Sequence, residues 1–115
     1  LLVSVTKASP ENGQAWFMLG SAYHRLKSYD QAVGALEKAN ELEFVTPQVA
    51  YQLARSATQA GDRDAGLIWL KKAVKSGFAG VKQLESEADL EPLKSNVAFT
   101  EVVDGADRNA RRPQR

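Results

Sequence analysis

The chain of 115 residues contains no cysteine and a single histidine. Disulfides and thiol chemistry are thereby excluded, the redox compartment is left unmarked, and a zinc site lacks its usual ligands. A general base at His24 would need an orienting carboxylate and a nucleophile, and the sequence marks out neither. Charge of one sign is also missing: 15 Lys and Arg against 14 Asp and Glu leave +1, too little for a global field toward nucleic acid or membrane. No apolar run approaches the roughly 20 residues that cross a bilayer, and no segment has the shape of a signal peptide. The first residue is Leu1, not methionine, so a fragment or a processed form is expected. With 43% hydrophobic and 25% charged residues, the composition is that of one ordinary globular domain.

What the sequence does contain is a pattern and its copy. Trp16, Leu19, Gly20 and Tyr23 fall at i, i+3, i+4 and i+7, which places them on one face of a helix. Ala32, Leu36 and Ala39 repeat that logic on a second helix. The join at Lys27-Ser28-Tyr29-Asp30 is so short that the two helices must lie antiparallel. Gly20 and Ala32 leave no bulk where the two backbones approach. A shift of 34 residues carries Leu19 onto Leu53, Leu36 onto Leu70 and Ala39 onto Ala73. It also exchanges small for small, Gly20 for Ala54 and Ala32 for Gly66, while Trp16 and Tyr23 become Ala50 and Ala57. The reverse shift carries Leu36 onto Leu2, Ala39 onto Val5 and Phe44 onto Pro10. A constant period over apolar and small positions is the mark of a solenoid of stacked helix pairs.

Local signals divide the chain accordingly. Leu1 to Ala8 reads as the last helix of a truncated pair, ended by Pro10, with Asn12 capping the next helix. Helices are expected over about 13–26, 29–42, 47–60 and from the Gly61 turn to Ser76. Thr46 caps the third of these with Pro47 at its first position, Asp62 and Asp64 belong to capping rather than to a calcium loop, and Gly77 serves as a left-handed stop on which Phe78 folds back. Gly77 to Gly80 has neither the lysine nor the preceding strand of a phosphate loop. Beyond Gly80, Val81, Leu84 and Ala88 suggest a short helix. Asp89 is expected to cap a turn carrying Leu90 and Leu93, and Val97, Phe99, Val102 and Val103 suggest one more helix. Residues 104–115, with Gly105, Pro113 and four arginines, read as a flexible basic tail or linker. Trp69, where the copy has Ala35, is expected to lie under the closing hairpin rather than to stand as an exposed anchor. Lys71, Lys72 and Lys75, with the tail arginines, read as solvated charge rather than as a phosphate or lipid contact, since no aromatic residues alternate with them.

Trp16-x-x-Leu19-Gly20-x-x-Tyr23 followed by Ala32-x-x-x-Leu36 resembles the tetratricopeptide repeat. The resemblance covers 13–46 and 47–80, with 1–12 as the end of a partial repeat and 81–103 as a degenerate capping hairpin. That hairpin is similar to the closing segments of bacterial modules of this family. The departures are Phe44, where a proline is usual, and the alanines at 50 and 57. The implied fold is all-α, a right-handed superhelical solenoid of antiparallel helix pairs.

In such arrays the first helices of successive pairs line a concave groove, and residues one turn off the packing stripe face into it. The resemblance places Gln14, Phe17, Ser21, His24 and Arg25 there from the first pair, and Gln48, Tyr51, Gln52, Arg55 and Gln59 from the second. Two aromatics flanked by amides and arginines would suit an extended peptide. The competing reading makes Phe17 and Tyr51 plain core. Family members that clamp a chaperone's C-terminal carboxylate use a lysine and asparagines. Phe17, Ser21 and Gln52 stand at the matching positions, so that role is disfavoured. The expected function is therefore a non-catalytic scaffold for a protein or peptide ligand, with no cofactor, no metal, no nucleic acid and no membrane insertion. Two alternatives are self-association through the apolar edge at Leu1, Leu2 and Val5, and a regulatory or targeting appendage of a larger protein or enzyme.

Overall fold

A computed structural model describes residues 2–42 and 46–112, apart from the side chains of Leu2 and Val5. Among the described residues the domain is all-α and without strands. Its helices are α1 (Leu2–Ala8), α2 (Gly13–Arg25), α3 (Tyr29–Glu41), α4 (Pro47–Gln59), α5 (Arg63–Lys75), α6 (Val81–Ser86) and α7 (Val97–Ala110), with a 3-10 helix, η1 (Ala88–Leu93), between the last two. Antiparallel contacts join α2 to α3 and α4 to α5; α3 lies against α4, and α5 against α7. The arrangement is that of stacked helix pairs.

The 34-residue interval is visible in the backbone itself. It separates the starts of α2 and α4, of α3 and α5, of α4 and α6, and of α5 and α7. The caps obey it too. Asn12 Oδ1 accepts from the Ala15 amide at 3.1 Å, and 34 positions on Thr46 Oγ1 accepts from Val49 at 3.2 Å. Asp62 Oδ1 accepts from Ala65 at 3.0 Å, and 34 positions on Asn96 Oδ1 accepts from Ala98 at 2.9 Å. Each satisfies an orphan amide and stabilises its helix by about 1 kcal/mol. The C-terminal stops match as well. The amides of Ser28, Asp62 and Phe78 each reach back five residues, to the carbonyls of Tyr23, Ala57 and Ala73, at 2.9 Å. That closure needs a left-handed residue just before the donor. Gly61 (φ +98°) and Gly77 (φ +109°) supply it in α4 and α5, and Lys27 (φ +62°) does so in α2 against the preference of a side chain.

Leu36, Leu53 and Leu70 are fully buried, and Leu19 is nearly so. Leu36, Leu53 and Val49 form one core group; Leu70, Leu84, Leu90, Leu93, Phe99 and Val102 belong to another. Trp69 packs against both groups, half-buried at their junction, with the Lys72 ammonium 4.4 Å above its ring. Trp16 is half-buried and donates its indole N–H to the Pro10 carbonyl at 2.9 Å.

Two expectations are corrected. Asp89 does not cap its turn; Glu87 does, accepting from the Asp89 amide at 3.4 Å. The short helix and separate short turn expected beyond Gly80 are present as α6 and η1, with Pro92 inside η1. Residues 104–110 are not a tail: α7 runs to Ala110, with Gly105 and Ala106 buried. Small residues carry that face, so apolar periodicity does not register it. Asn109 Nδ2 then fastens the end of α7 by donating to the carbonyls of Val74 and Phe78, both at 2.8 Å. Residues 113–115, Phe44 and the side chains of the edge formed by Leu1, Leu2 and Val5 lie outside the described residues.

The close approach expected at Gly20 is present. A Cβ there would sit 2.6 Å from Leu36 Cγ, and Leu36, fully enclosed, has nowhere to move. Gly34, in the interior of α3, has nothing within 4 Å of the same atom. Gly20→Ala is expected to cost about 2 kcal/mol through overpacking. Gly34→Ala should add about 1 kcal/mol through helix propensity alone. Thermal unfolding of the two variants followed by circular dichroism checks the opposite signs.

Candidate interaction face

α2 and α4 lie side by side, and their outward residues form one face of the domain. Gln14, Arg25 and Gln48 are exposed there. Ser21 and Gln52 are half-buried, with Ser21 Oγ donating to Gln52 Oε1 at 3.3 Å. Phe17 is half-buried against the Leu36, Val49 and Leu53 group, so it is partly core. The other four residues form a separate cluster with the last hairpin.

Tyr51 is almost wholly buried and stacks on Phe78, centroid to centroid at 4.5 Å. Its hydroxyl donates to the Gln83 carbonyl at 3.4 Å. Arg55 extends its guanidinium over the Tyr51 ring and pairs with two carboxylates, Nε to Glu87 Oε1 at 2.9 Å and Nη2 to Asp89 Oδ2 at 3.1 Å. Gln59 Nε2 donates to the Asp89 carbonyl at 2.8 Å. His24 is buried, with Nε2 2.8 Å from Asp89 Oδ2 and Nδ1 2.8 Å from Ser56 Oγ. An ionised carboxylate only accepts, so Nε2 carries a proton; in the neutral ring the Ser56 hydroxyl then donates to Nδ1. The edge of Tyr29 closes the other side of the ring, 5.2 Å between centroids. Asp89 thus links first helices that are far apart in sequence: His24 on α2, Arg55 on α4 and its own η1.

Burial, and next the Glu87 carboxylate, push the Tyr51 phenol up to about 12 from its ordinary 10.0. It is neutral at any physiological pH and acts as a packed ring with a polar tip.

Serine, histidine and aspartate in a hydrogen-bonded row invite comparison with a nucleophilic triad. The geometry argues against that use. Ser56 has no exposed surface, so no carbonyl carbon can approach its oxygen. The row is a clasp between helices. No group of three or more His, Asp or Glu placed to hold a metal occurs among the described residues.

Sequence reasoning missed Asp89, Glu87 and Ser56 as members of this cluster. One signal for Asp89 was available. It stands 34 residues after Arg55, which stands 34 after Ser21, so the three occupy one column of the repeat with opposite charges adjacent. Glu87 and Ser56 carry no such mark.

Comparison with known families bears on the segment that builds the first helix pair. Residues 13–45 match the tetratricopeptide repeat. The matched repeat comprises α2, α3 and the connection that follows them, including Gly20, Ala32 and Leu36. No curated protein matches the chain. No helix among the described residues is long and apolar enough to cross a membrane.

Two outcomes follow for the clasp. Asp89→Ala leaves the buried His24 Nε2–H and the Nη2 arm of Arg55 without their acceptor, while Glu87 keeps Arg55 Nε, and should cost about 2–3 kcal/mol. Amide hydrogen exchange should quicken in η1 and α7 more than in α2 and α3, and Asp89→Asn, which keeps an acceptor, should recover part of the loss. Tyr51 holds its proton more tightly folded than unfolded, so its contribution is complete below pH 10.0 and is lost as pH rises toward about 12. Denaturant titrations across that range should show a stability loss in the wild type that is smaller in Tyr51→Phe.

Proposed function

We propose that this chain is a non-catalytic interaction domain that holds an extended peptide or protein segment along the concave side of a right-handed tetratricopeptide-type solenoid. Its units would be residues 13–46, 47–80 and 81–110, preceded by the end of a partial repeat at 1–12. The observation that carries this reading is a row of equivalent positions. Gln14 on α2, Gln48 on α4 and Lys82 on α6 stand at 34-residue intervals, and all three are exposed. Beside them lie the half-buried Phe17, Ser21 and Gln52. Side-chain amides offer both donors and acceptors, which is what an extended backbone requires.

The clasp divides the proposed groove. At its far end Tyr51, Arg55, Gln59 and His24 are engaged with residues 78–89, so the ligand runs along the end marked by Gln14, Phe17 and Gln48. Alanine at Tyr51 or Arg55 would loosen the last hairpin as well as any ligand, which makes those positions poor reporters of binding.

Gln14 and Gln48 are better ones. Peptides selected from a random display library on the immobilised chain should lose about three- to tenfold in affinity with Gln48→Ala, the worth of one or two net hydrogen bonds. Amide shifts in the labelled domain should cluster on α2 and α4. Unchanged affinity in both Gln14→Ala and Gln48→Ala, with shifts confined to α3, α5 or α7, would overturn the proposal.

A further inference from the structure

On α5 and α7, the second helices of their hairpins and apart from the first helices that bear the proposed groove, a second site is visible. A hollow of about 290 Å³ opens between them. Val74, Val102 and the backbone of Gly105 form its apolar floor. Gly105 permits the close crossing, since a Cβ there would come within 2.6 Å of Val74 Cγ1. Lys71 and Lys75, one turn apart on α5, stand on one wall and Arg108 on the other, with Glu101 as the one acid in the lining.

Each of the three cations is exposed, and none pairs with a carboxylate among the described residues. Their neighbours differ. Lys72 is drawn over the Trp69 ring, and Asp107 is taken by Arg111 at 3.0 Å. Lys75 and Arg108 fall in the last turns of their helices, where the helix dipole favours cations. That accounts for their presence, but not for their convergence with Lys71 from two helices onto one apolar hollow. The lining carries three positive charges against one negative.

We infer that this hollow is a docking site for an acidic, extended protein segment, with one small aliphatic side chain seated on Val74 and Val102 and flanking carboxylates paired to Lys71, Lys75 and Arg108. At about 290 Å³ the hollow lies at the lower edge of the roughly 300–1,000 Å³ of small-molecule pockets and has room for a short run of peptide, and the two lysines one turn apart suit acids spaced along an extended strand. The site owes nothing to the concave-groove reading and stands or falls separately.

The probe is an acetylated, amidated peptide of sequence Asp-Asp-Val-Asp-Asp, titrated into the isotopically labelled chain at low salt. Shifts are expected at Lys71, Val74, Lys75, Val102 and Arg108. Lys75→Gln and Arg108→Gln should each weaken binding about two- to fivefold, the range of an exposed ion pair. Glu101→Gln should tighten it by a similar factor, and Lys72→Gln should leave it unchanged. The glutamine positions are all exposed, so the fold tolerates them, and the gain at Glu101 cannot come from unfolding. The inference is overturned if the peptide fails to bind, if the Asn-Asn-Val-Asn-Asn analogue binds equally well, or if Glu101→Gln has no effect. It is also overturned if inorganic phosphate at matched ionic strength reproduces the shifts. Vesicles of anionic phospholipid binding where the peptide does not would assign the hollow to a membrane surface instead.

Discussion

Every helix pair in this domain has an apolar stripe that it can cover only by lying against another pair. Leu36, Leu53 and Leu70 reach zero exposure where contacts within a pair, α2 with α3 and α4 with α5, are completed by α3 against α4 and α5 against α7. Removing each such side chain from water contributes about 2 kcal/mol. That gain requires backbones close enough to leave no void, and small residues set the distance. Gly20 lets Leu36 fill the space beside α2, and Gly66 lies against Thr58, where any Cβ would strike the hydroxyl. Stacking, rather than local helix propensity, is what holds the pairs.

The polar clasp follows from an irregularity in that stacking. α6 ends at Ser86, and the separate turn of η1 that follows carries Glu87 and Asp89 against α4. Asp89 keeps the repeat column it shares with Arg55 and meets His24 as well. The cluster has a consequence for function. Tyr51, Arg55, Gln59 and His24 are engaged within the chain, and the exposed side chains of Gln14, Arg25 and Gln48 remain on the first helices.

The two proposed surfaces differ in chemistry for a structural reason. On the first helices the exposed groups include the neutral amides of Gln14 and Gln48, suited to a peptide backbone. Between the second helices, lysines and an arginine surround an apolar floor, suited to acidic side chains. A chain with a net charge of only +1 can still hold a local positive site, because its acids are spent elsewhere: Glu87 and Asp89 on Arg55, Asp107 on Arg111.

By itself the sequence determined the helices, their interval and most of their ends. The period of Leu19, Leu53, Leu36 and Leu70, the caps at Asn12 and Thr46 and the stop at Gly77 are local patterns, and local patterns suffice to fix a helix boundary. Tertiary structure alone decided the rest. That Tyr51 would be buried under Phe78 and that Asp89 would meet His24 depend on where residues far apart in the chain come to rest, which no spacing within one helix encodes. The continuation of α7 to Ala110 was hidden for a related reason. Gly105 and Ala106 face α5 through their smallness, and a small residue becomes a contact only once a neighbour is there to approach it.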